Sequence, residues 1–564
     1  MSDRLERLHQ LIDEHSDRVE RFRHGELTPE EFRPIRLSYG LYAQLPQTSH
    51  LQRIKIPGGL TNASQLRVIA GIAAEWGRGQ LHVTTRQDFQ IHWVPIEAIR
   101  ELYHRLQDAG ISTRGACSDS VRNVTASPCA GTCMAEAFDV LPYALALDDY
   151  FLFHPLNLTL PRKFKPSFSG CPDDEAQGVI NDLAYYARLR GDQRGFAVYA
   201  GGGLGPAPHL AKPLIEFLPE SDVFLVAEAL VRVHHRYGER KNRHKARLKF
   251  VVQRMGVERF RQTVLRELES IDGRRGDELR KALQDAVARY RLAPPRRASS
   301  RRVAAVEARG ESYRRWVRTN VREQRQAGYS SVTVVLPLGD IDSRRLSEVA
   351  SLSERFGNGT VRTTNDQNLV LPFVADHDVP AIYDAIAQLG FAESNAMHLS
   401  DVTSCPGADY CSLAVTRSMG VARRIREGLR ARESSVEDLG RFRIKISGCP
   451  NSCGQHHVGD IGLTGLMVKD ENGLEQPHCA ILVGGSVGQG NGTVGRRLKG
   501  KFPEAVVPSV IDALTDHYRA VRSPGEAFRD FVARVGIEQL QKVAESATEP
   551  DREADARRRT VGLG

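Results

Sequence analysis

Two groups of residues in this 564-residue chain have the types and spacing to do chemistry. The first is a set of four thiols. Cys405 and Cys411 lie in Ser404-Cys405-Pro406-Gly407-Ala408-Asp409-Tyr410-Cys411, and Cys449 and Cys453 in Ser447-Gly448-Cys449-Pro450-Asn451-Ser452-Cys453-Gly454. Four thiolates on Gly- and Pro-rich loops, spaced C-x5-C and C-x3-C, suit a soft metal centre, either zinc or iron–sulfur. The second group is cationic. Lys163 and Lys165 are two residues apart in Leu160-Pro161-Arg162-Lys163-Phe164-Lys165, so a strand there points both ammonium groups to one face. Arg86 in Thr84-Thr85-Arg86-Gln87 and Arg122 in Ser120-Val121-Arg122-Asn123 fall at the ends of neighbouring elements. Like charges gathered in this way repel unless an anion lies between them, so the set points to an anion site.

The elements that must position these residues occur twice. The alternating run Arg441-Phe442-Arg443-Ile444-Lys445-Ile446 predicts a strand leading into the Cys449 loop. Lys163-Phe164-Lys165 leads in the same way into Ser169-Gly170-Cys171-Pro172. Further upstream, a strand over 51–60 precedes a helix after a Thr61/Asn62 cap and a bent strand through Gly77–Ile91; the helix recurs at Leu346–Ala350 and the bent strand at Phe356–Thr364 continued by Asn365–Leu371. Gly77/Gly357, Gly79/Gly359, Thr84/Thr364 and Gln87/Gln367 coincide at one offset of 280. Such order over both halves marks an internal duplication. The copies differ in their chemistry: Glu175 stands where the second copy has Cys453, which leaves Cys129, Cys133 and Cys171 one thiol short of four. These three, with Cys117 and Cys479, read as buried small residues. The cations belong to the first copy, where Arg86 takes the position that Asp366 holds in the second.

The length exceeds one hydrophobic core. Nine cysteines without a signal-like N-terminus do not read as a disulfide framework, and no apolar run reaches the ~18 residues of a membrane span, so a cytoplasmic protein with no membrane partner is expected. The net charge of +9 admits nucleic acid, an anionic small molecule or an acidic protein as partner. Much of the excess sits in the Pro- and Ser-bearing stretch Arg289–Arg302, which reads as a linker. No aromatic interleaving supports a nucleic-acid partner.

Taken together, the four-thiol spacing, Ser-Gly-Cys-Pro-Asn-x-Cys-Gly, Thr-x-Arg-Gln, Arg-Lys-Phe-Lys and the duplicated halves resemble the sirohaem- and [4Fe–4S]-dependent sulfite and nitrite reductase family. The resemblance runs from about Leu37 to Val535 and is nearest to the assimilatory sulfite reductase haemoprotein type. It implies an α+β chain with paired ferredoxin-like half-domains and two sirohaem/Fe–S α/β domains. The expected boundaries are an N-terminal helical extension (1–36), half-domain 1 (37–110), a sirohaem/substrate domain (111–287), the basic linker (288–327), half-domain 2 (328–395), a [4Fe–4S]/sirohaem domain (396–545) and a charged tail (546–564). The resemblance also implies that Cys405, Cys411, Cys449 and Cys453 hold the cluster, that Cys453 also contacts the sirohaem iron, and that Arg86, Arg122, Lys163 and Lys165 surround the substrate. Arg162, Gln87 and Asn123 are the further expected cofactor contacts, and sirohaem would lie between the lobes.

The implied activity is the six-electron reduction of sulfite to sulfide. Lys at both positions of Lys163-x-Lys165 favours sulfite over nitrite, whose reductases tend toward Asn at the second. Electrons would come from ferredoxin or a flavoprotein subunit. Gly201-Gly202-Gly203-Leu204-Gly205 lacks dinucleotide spacing and reads as a tight turn near the haem. Three readings stay open beside this one: a ferredoxin-type nitrite reductase with the same cofactors, a non-catalytic Fe–S electron-transfer protein, and a zinc-bearing nucleic-acid binder.

Overall fold

The computed structural model describes residues 2–44, 49–271, 273–291, 309–432 and 437–548. Residues 292–308 of the expected linker and most of the charged tail (549–564) lie outside the described residues. The rest of the expected linker is not a linker throughout: Glu311–Asn320 is a helix and Val321–Glu323 pairs into the second half-domain sheet. The chain divides into two compact units, Met1–Ala396 with Val487–Gly492, and Met397–Ser486 with Thr493–Gly564. Among the described residues no helix is long and apolar enough to cross a membrane.

The first unit contains both half-domain sheets. One runs, in spatial order, Leu41–Ala43, His50–Ile54, Phe89–Val94, Gln80–Val83 and Asp340–Asp342. The other runs Val321–Glu323, Tyr329–Val334, Leu369–Ala375, Thr360–Thr363 and Leu60–Asn62. Each sheet therefore takes its last strand from the other copy. Asp340–Asp342 pairs antiparallel with Gln80–Val83, and Leu60–Asn62 with Thr360–Thr363. The strand expected over 51–60 is thus two strands in different sheets, split by a short turn at Pro57–Gly59.

A helix follows each exchanged strand directly. Ala63–Trp76 starts at Asn62, whose side chain accepts the Gln65 amide in a capping box, and Ser343–Phe356 starts at Asp342, which accepts the Arg345 amide. Leu66, Ile69 and Ile72, with Leu346, Val349 and Leu352, bury one face of each helix at helical spacing, and the two helices pack together. The N-terminal helix Ser2–Arg23 adds Ile12 and Val19 to the same core.

A reciprocal clamp holds the exchange. Gln87 Nε2 donates to Thr363 O at 2.9 Å, and Gln367 Nε2 donates to Val83 O at 2.9 Å. Gly59, at φ +70°, lets the backbone pass between these groups. A Cβ there would lie 2.6 Å from Thr363 O and 2.7 Å from Gln87 Nε2. Gly59→Ala should therefore cost about 2–4 kcal/mol, from left-handed backbone strain and overpacking together, read as a lower thermal midpoint with an intact far-UV spectrum.

The third sheet of the first unit runs Thr125–Ala126, Pro166–Ser169, Leu183–Arg190, Gln193–Ala200 and Lys212–Pro219. Its first two pairings are parallel and the rest antiparallel. The second unit repeats this pattern with Thr403–Ser404, Ile444–Ser447, Ile461–Lys469 and Glu475–Val483. Ser127 N donates to Phe168 O, and Cys405 N to Ile446 O, at equivalent places in the two sheets.

Lys163 and Lys165 do not lie in a strand. The strand begins at Pro166, and Phe164 makes only an isolated parallel bridge to Val121. Pro161 and Pro166 lack the N–H groups that a continuous ladder would need, while a residue preceding proline stays extended. The alternation survives for that reason: Phe164 is fully buried, and both lysines are half-buried on the other side.

Candidate functional site

The bridge at Phe164 gathers the cations of the first unit. Arg122 N donates to Phe164 O at 2.8 Å and Phe164 N to Ser120 O at 2.9 Å, which sets Arg122 beside the two lysines. The Arg122 guanidinium is steadied by Ser118 O at 3.0 and 3.1 Å and Ala116 O at 3.2 Å. Arg86 is buried and donates to Asn181 Oδ1 at 2.8 Å, to Pro166 O at 3.1 Å and to Asn123 O. Burial pulls it down to about 10, which leaves it a cation near neutrality. Lys165 is pushed well below the usual lysine range, first by burial and then by the charges of Lys163, Arg86, Arg247 and Arg122. These five cations therefore act on one another within one unit.

Arg247 belongs to no motif in the sequence. Its signal was the basic run Arg240-Lys241-Asn242-Arg243-His244-Lys245-Ala246-Arg247-Leu248-Lys249, which has no motif spacing. Its guanidinium donates to the fully buried Asp182 at 2.6 Å, and Asp182 also accepts the Lys165 amide at 3.0 Å. The glycine run at 201–203 makes room for it: a Cβ on Gly203 would lie 2.4 Å from the Arg247 guanidinium.

The other expected cofactor contacts of the first unit hydrogen-bond to the protein, with the buried Asn123 Oδ1 left without a protein partner. Gln87 donates to Ala126 O at 3.0 Å and to Thr363 O, and accepts from Ala126 N at 3.1 Å. Asn123 donates to Ile56 O at 2.8 Å and Arg86 O at 2.9 Å. Both amides brace Arg86 and the half-domain exchange, through backbone partners too distant along the chain for local spacing to reveal. Arg162 pairs with Asp119 at 3.0 Å, which Arg243 also reaches at 2.8 Å.

The four thiols of the second unit come from two loops laid against the Ile444–Ser447 strand. Gly448 N donates to Cys405 Sγ at 3.2 Å, Cys411 N donates to Gly407 O at 2.9 Å and Gly454 N donates to Ser447 Oγ at 3.1 Å. Burial and then the charge of Cys453 push the Cys405 thiol up to about 12, and burial with Cys453 and Cys411 raises Cys449. All four thus lie within electrostatic reach. Cys405 and Cys449 are buried, Cys411 is half-buried and Cys453 is exposed, so Cys453 can meet a group beyond the cluster. A metal would reverse the cost of crowding these thiols by displacing their protons.

The first copy's thiols do not behave as separate buried residues. Cys129, Cys133 and Cys171 place their sulfurs within 4.8 Å of one another, and Cys129 and Cys133 are only half-buried. The turn that begins at Pro128 converges with the Cys171 turn, a contact that counting thiols against the second copy could not foresee.

The family model for the nitrite and sulphite reductase 4Fe–4S domain matches residues 117–271 and 396–550. The chain belongs to the nitrite and sulphite reductase family. A second model, for the nitrite/sulfite reductase ferredoxin-like half domain, matches residues 44–109 and 322–389 of this reductase. It is 30% identical over 515 residues to the assimilatory ferredoxin-dependent nitrite reductase of Haloferax mediterranei, covering 88% of this chain and 83% of that one. It is 28% identical over 499 residues to sulfite reductase [ferredoxin] 2 of Mycolicibacterium paratuberculosis, covering 87% and 83%. The solved NirA protein of Mycobacterium tuberculosis superposes with a TM-score of 0.79 at 26% identity, over 93% of this chain and 94% of that one. The cofactors of this reductase are sirohaem and a [4Fe–4S] cluster. The donor set fits them, with four converging thiols for the cluster and a group of cations suited to carboxylates and oxyanions.

Proposed function

We propose that this reductase converts sulfite to sulfide with electrons from ferredoxin. Cys405, Cys411, Cys449 and Cys453 would hold the cluster, and the exposed Cys453 would couple it to the sirohaem. When bound, the two groups supply single-electron redox chemistry and an iron for the substrate. Arg86, Arg122, Lys163 and Lys165 hold the anion's oxygens. They offset its charge, which otherwise opposes both binding and reduction, and their N–H groups strengthen as hydrogen-bond donors where water is excluded. The lysines also give protons as S–O bonds break. Lys165 suits that role because burial, and then its cationic neighbours, already disfavour its ammonium form. Arg162, partly exposed beside Asp119, would serve a cofactor carboxylate, while Arg247 braces Asp182 and the Lys165 backbone.

The observation that carries the choice of sulfite is Lys165 itself, a fifth cation held half-buried among four others. A singly charged anion needs less compensation than a doubly charged one. The nitrite reading rests on the Haloferax relative's name. Ferredoxin is supported by the names of both relatives and by a net charge of +9, which would steer an acidic donor. The decisive experiment is an optical spectrum of anaerobically purified protein, followed by kcat/KM for sulfite and nitrite with reduced ferredoxin. Absent sirohaem bands would defeat the assignment, and a higher kcat/KM for nitrite would replace the substrate.

A pH dependence follows. Lys165 has a folded-state pKa below its unfolded value, so its burial cost is full at low pH and is relieved as pH rises through the folded value. A bound anion favours the ammonium form. Affinity for nitrite, which does not titrate in the neutral range, should therefore fall as pH rises through the depressed Lys165 pKa. Lys165→Arg should flatten the profile, and an unchanged slope in that variant would assign the dependence elsewhere.

A further inference from the structure

We propose that Cys129, Cys133 and Cys171, with Glu175 as fourth ligand, form a second metal site in the first unit that holds a single soft divalent cation, zinc being the natural probe. Among the described residues these three thiols are the only set of three or more ligand groups close enough to share one ion. Zn–S bonds of ~2.3 Å in a tetrahedron place sulfurs about 3.8 Å apart, so thiols already within 4.8 Å need little movement to close on one ion. A cubane instead ties each thiolate to a different iron and spreads them further. Glu175 borders this set as the fourth group: its Oε2 lies 3.3 Å from Cys129 Sγ, while Arg322 holds its Oε1 at 2.5 Å, and its carboxylate must swing inward to come within 4.8 Å of all three sulfurs. A ligating carboxylate oriented by a second hydrogen bond is a common feature of built metal sites.

The scaffold is formed before any ion arrives. Thr132 and Cys133 amides donate to Cys129 O at 3.0 and 2.9 Å, which closes a turn that sets residues four apart on one side. Arg325 N and Gln326 Nε2 pin that turn through Thr132 O at 3.0 Å and Gly131 O at 2.7 Å. The Cys171–Glu175 turn is fixed by the fully buried Asp174, which accepts from Ser169 Oγ at 2.7 Å, Gly178 N at 2.8 Å and Tyr186 Oη at 3.1 Å. Four anionic ligands around a divalent ion leave surplus negative charge. Arg322, Arg325 on Glu136 at 3.2 Å, and the fully buried Arg362, whose Nε and one Nη have no protein partner, stand ready to offset it. The half-buried Cys129 and Cys133 leave a path for the ion.

The set is more than a decayed copy of the four-thiol centre. Ser127 occupies the place of Cys405, as their equivalent bonds to Phe168 O and Ile446 O attest, and the third thiol comes from Cys129, which lies where the second copy has Gly407. The bound ion would tie the Cys129–Glu136 loop to the Cys171 turn.

The test uses the full-length holoprotein from zinc-supplemented growth. About one zinc per chain is expected beside the iron, with zinc-edge X-ray absorption showing about three sulfurs near 2.3 Å and an oxygen near 2.0–2.2 Å. Cys133→Ser and Cys171→Ser should lose the zinc, while Cys479→Ala, a buried thiol of the second unit, should keep it. Sirohaem absorbance reports that each variant is folded and loaded, and it tests the reductase assignment separately. Zinc absent from the wild type, a shell without sulfur, a disulfide among the three thiols or zinc unchanged in Cys133→Ser would each overturn the site. The absorption measurement on the wild type stands even where a variant fails to fold.

Discussion

Cys453→Ser is expected to abolish sulfite and nitrite turnover while leaving a folded protein. The thiol is the exposed member of the four, and it adds to the burial that raises both Cys405 and Cys449. Replacing it with a hydroxyl removes a soft ligand and, on the proposed assignment, the sulfur shared with the haem iron. Changes to groups that merely orient metal ligands already cost about 10–100-fold, so loss of this ligand should exceed about 100-fold in kcat. Anaerobic iron analysis, the electron paramagnetic spectrum and single-turnover reduction separate loss of the cluster from loss of coupling. Cys479→Ala is the control, a buried thiol whose removal should cost some stability and little turnover. Cys453→Ser with normal reduction rates would remove the bridge from the scheme.

Lys165→Asn is the second large effect, and its sign differs between function and stability. The ammonium contributes a charge-assisted hydrogen bond of about 1.5–3 kcal/mol, so kcat/KM for sulfite should fall by about 10–150-fold. Nitrite, with one charge, should lose less. The same substitution removes a half-buried charge from among Lys163, Arg86, Arg247 and Arg122, and should raise the thermal midpoint of the apoprotein. A residue that costs stability in place and lowers activity when removed is retained for its chemistry. Equal losses for both substrates would end the case for sulfite, and a lower midpoint would mean that Lys165 is packed as a structural group.

A poorer outcome is expected for Arg247. Its partner Asp182 is fully buried and anchors the Lys165 backbone, so Arg247→Ala would leave an unpaired charge at a cost of about 3–5 kcal/mol. Activity loss there could not be read as a loss of substrate contact, which makes Lys165 the better probe.

Motifs that are local in sequence were legible without a structure. C-x5-C with C-x3-C, the alternation at Lys163-Phe164-Lys165 and the order shared by the two halves each depend on residues close along the chain or on a repeated order. They led to the family, the half-domains and the cofactors. The alternation held even though no strand forms there, because two prolines keep the segment extended and Phe164 claims the buried side.

What the sequence determined by itself was therefore an inventory: four thiols in one copy, a cation group in the other, and a duplicated scaffold for both. Tertiary structure alone decided how distant segments register. It gave Gln87 and Asn123 their backbone partners, brought Arg247 to the lysines through Asp182, exchanged a strand between the half-domains, and drew Cys129, Cys133 and Cys171 into one cluster. Those pairings join residues up to hundreds of positions apart. They are set by which backbone carbonyl lies opposite which side chain once the sheets have formed, and no local periodicity carries that information.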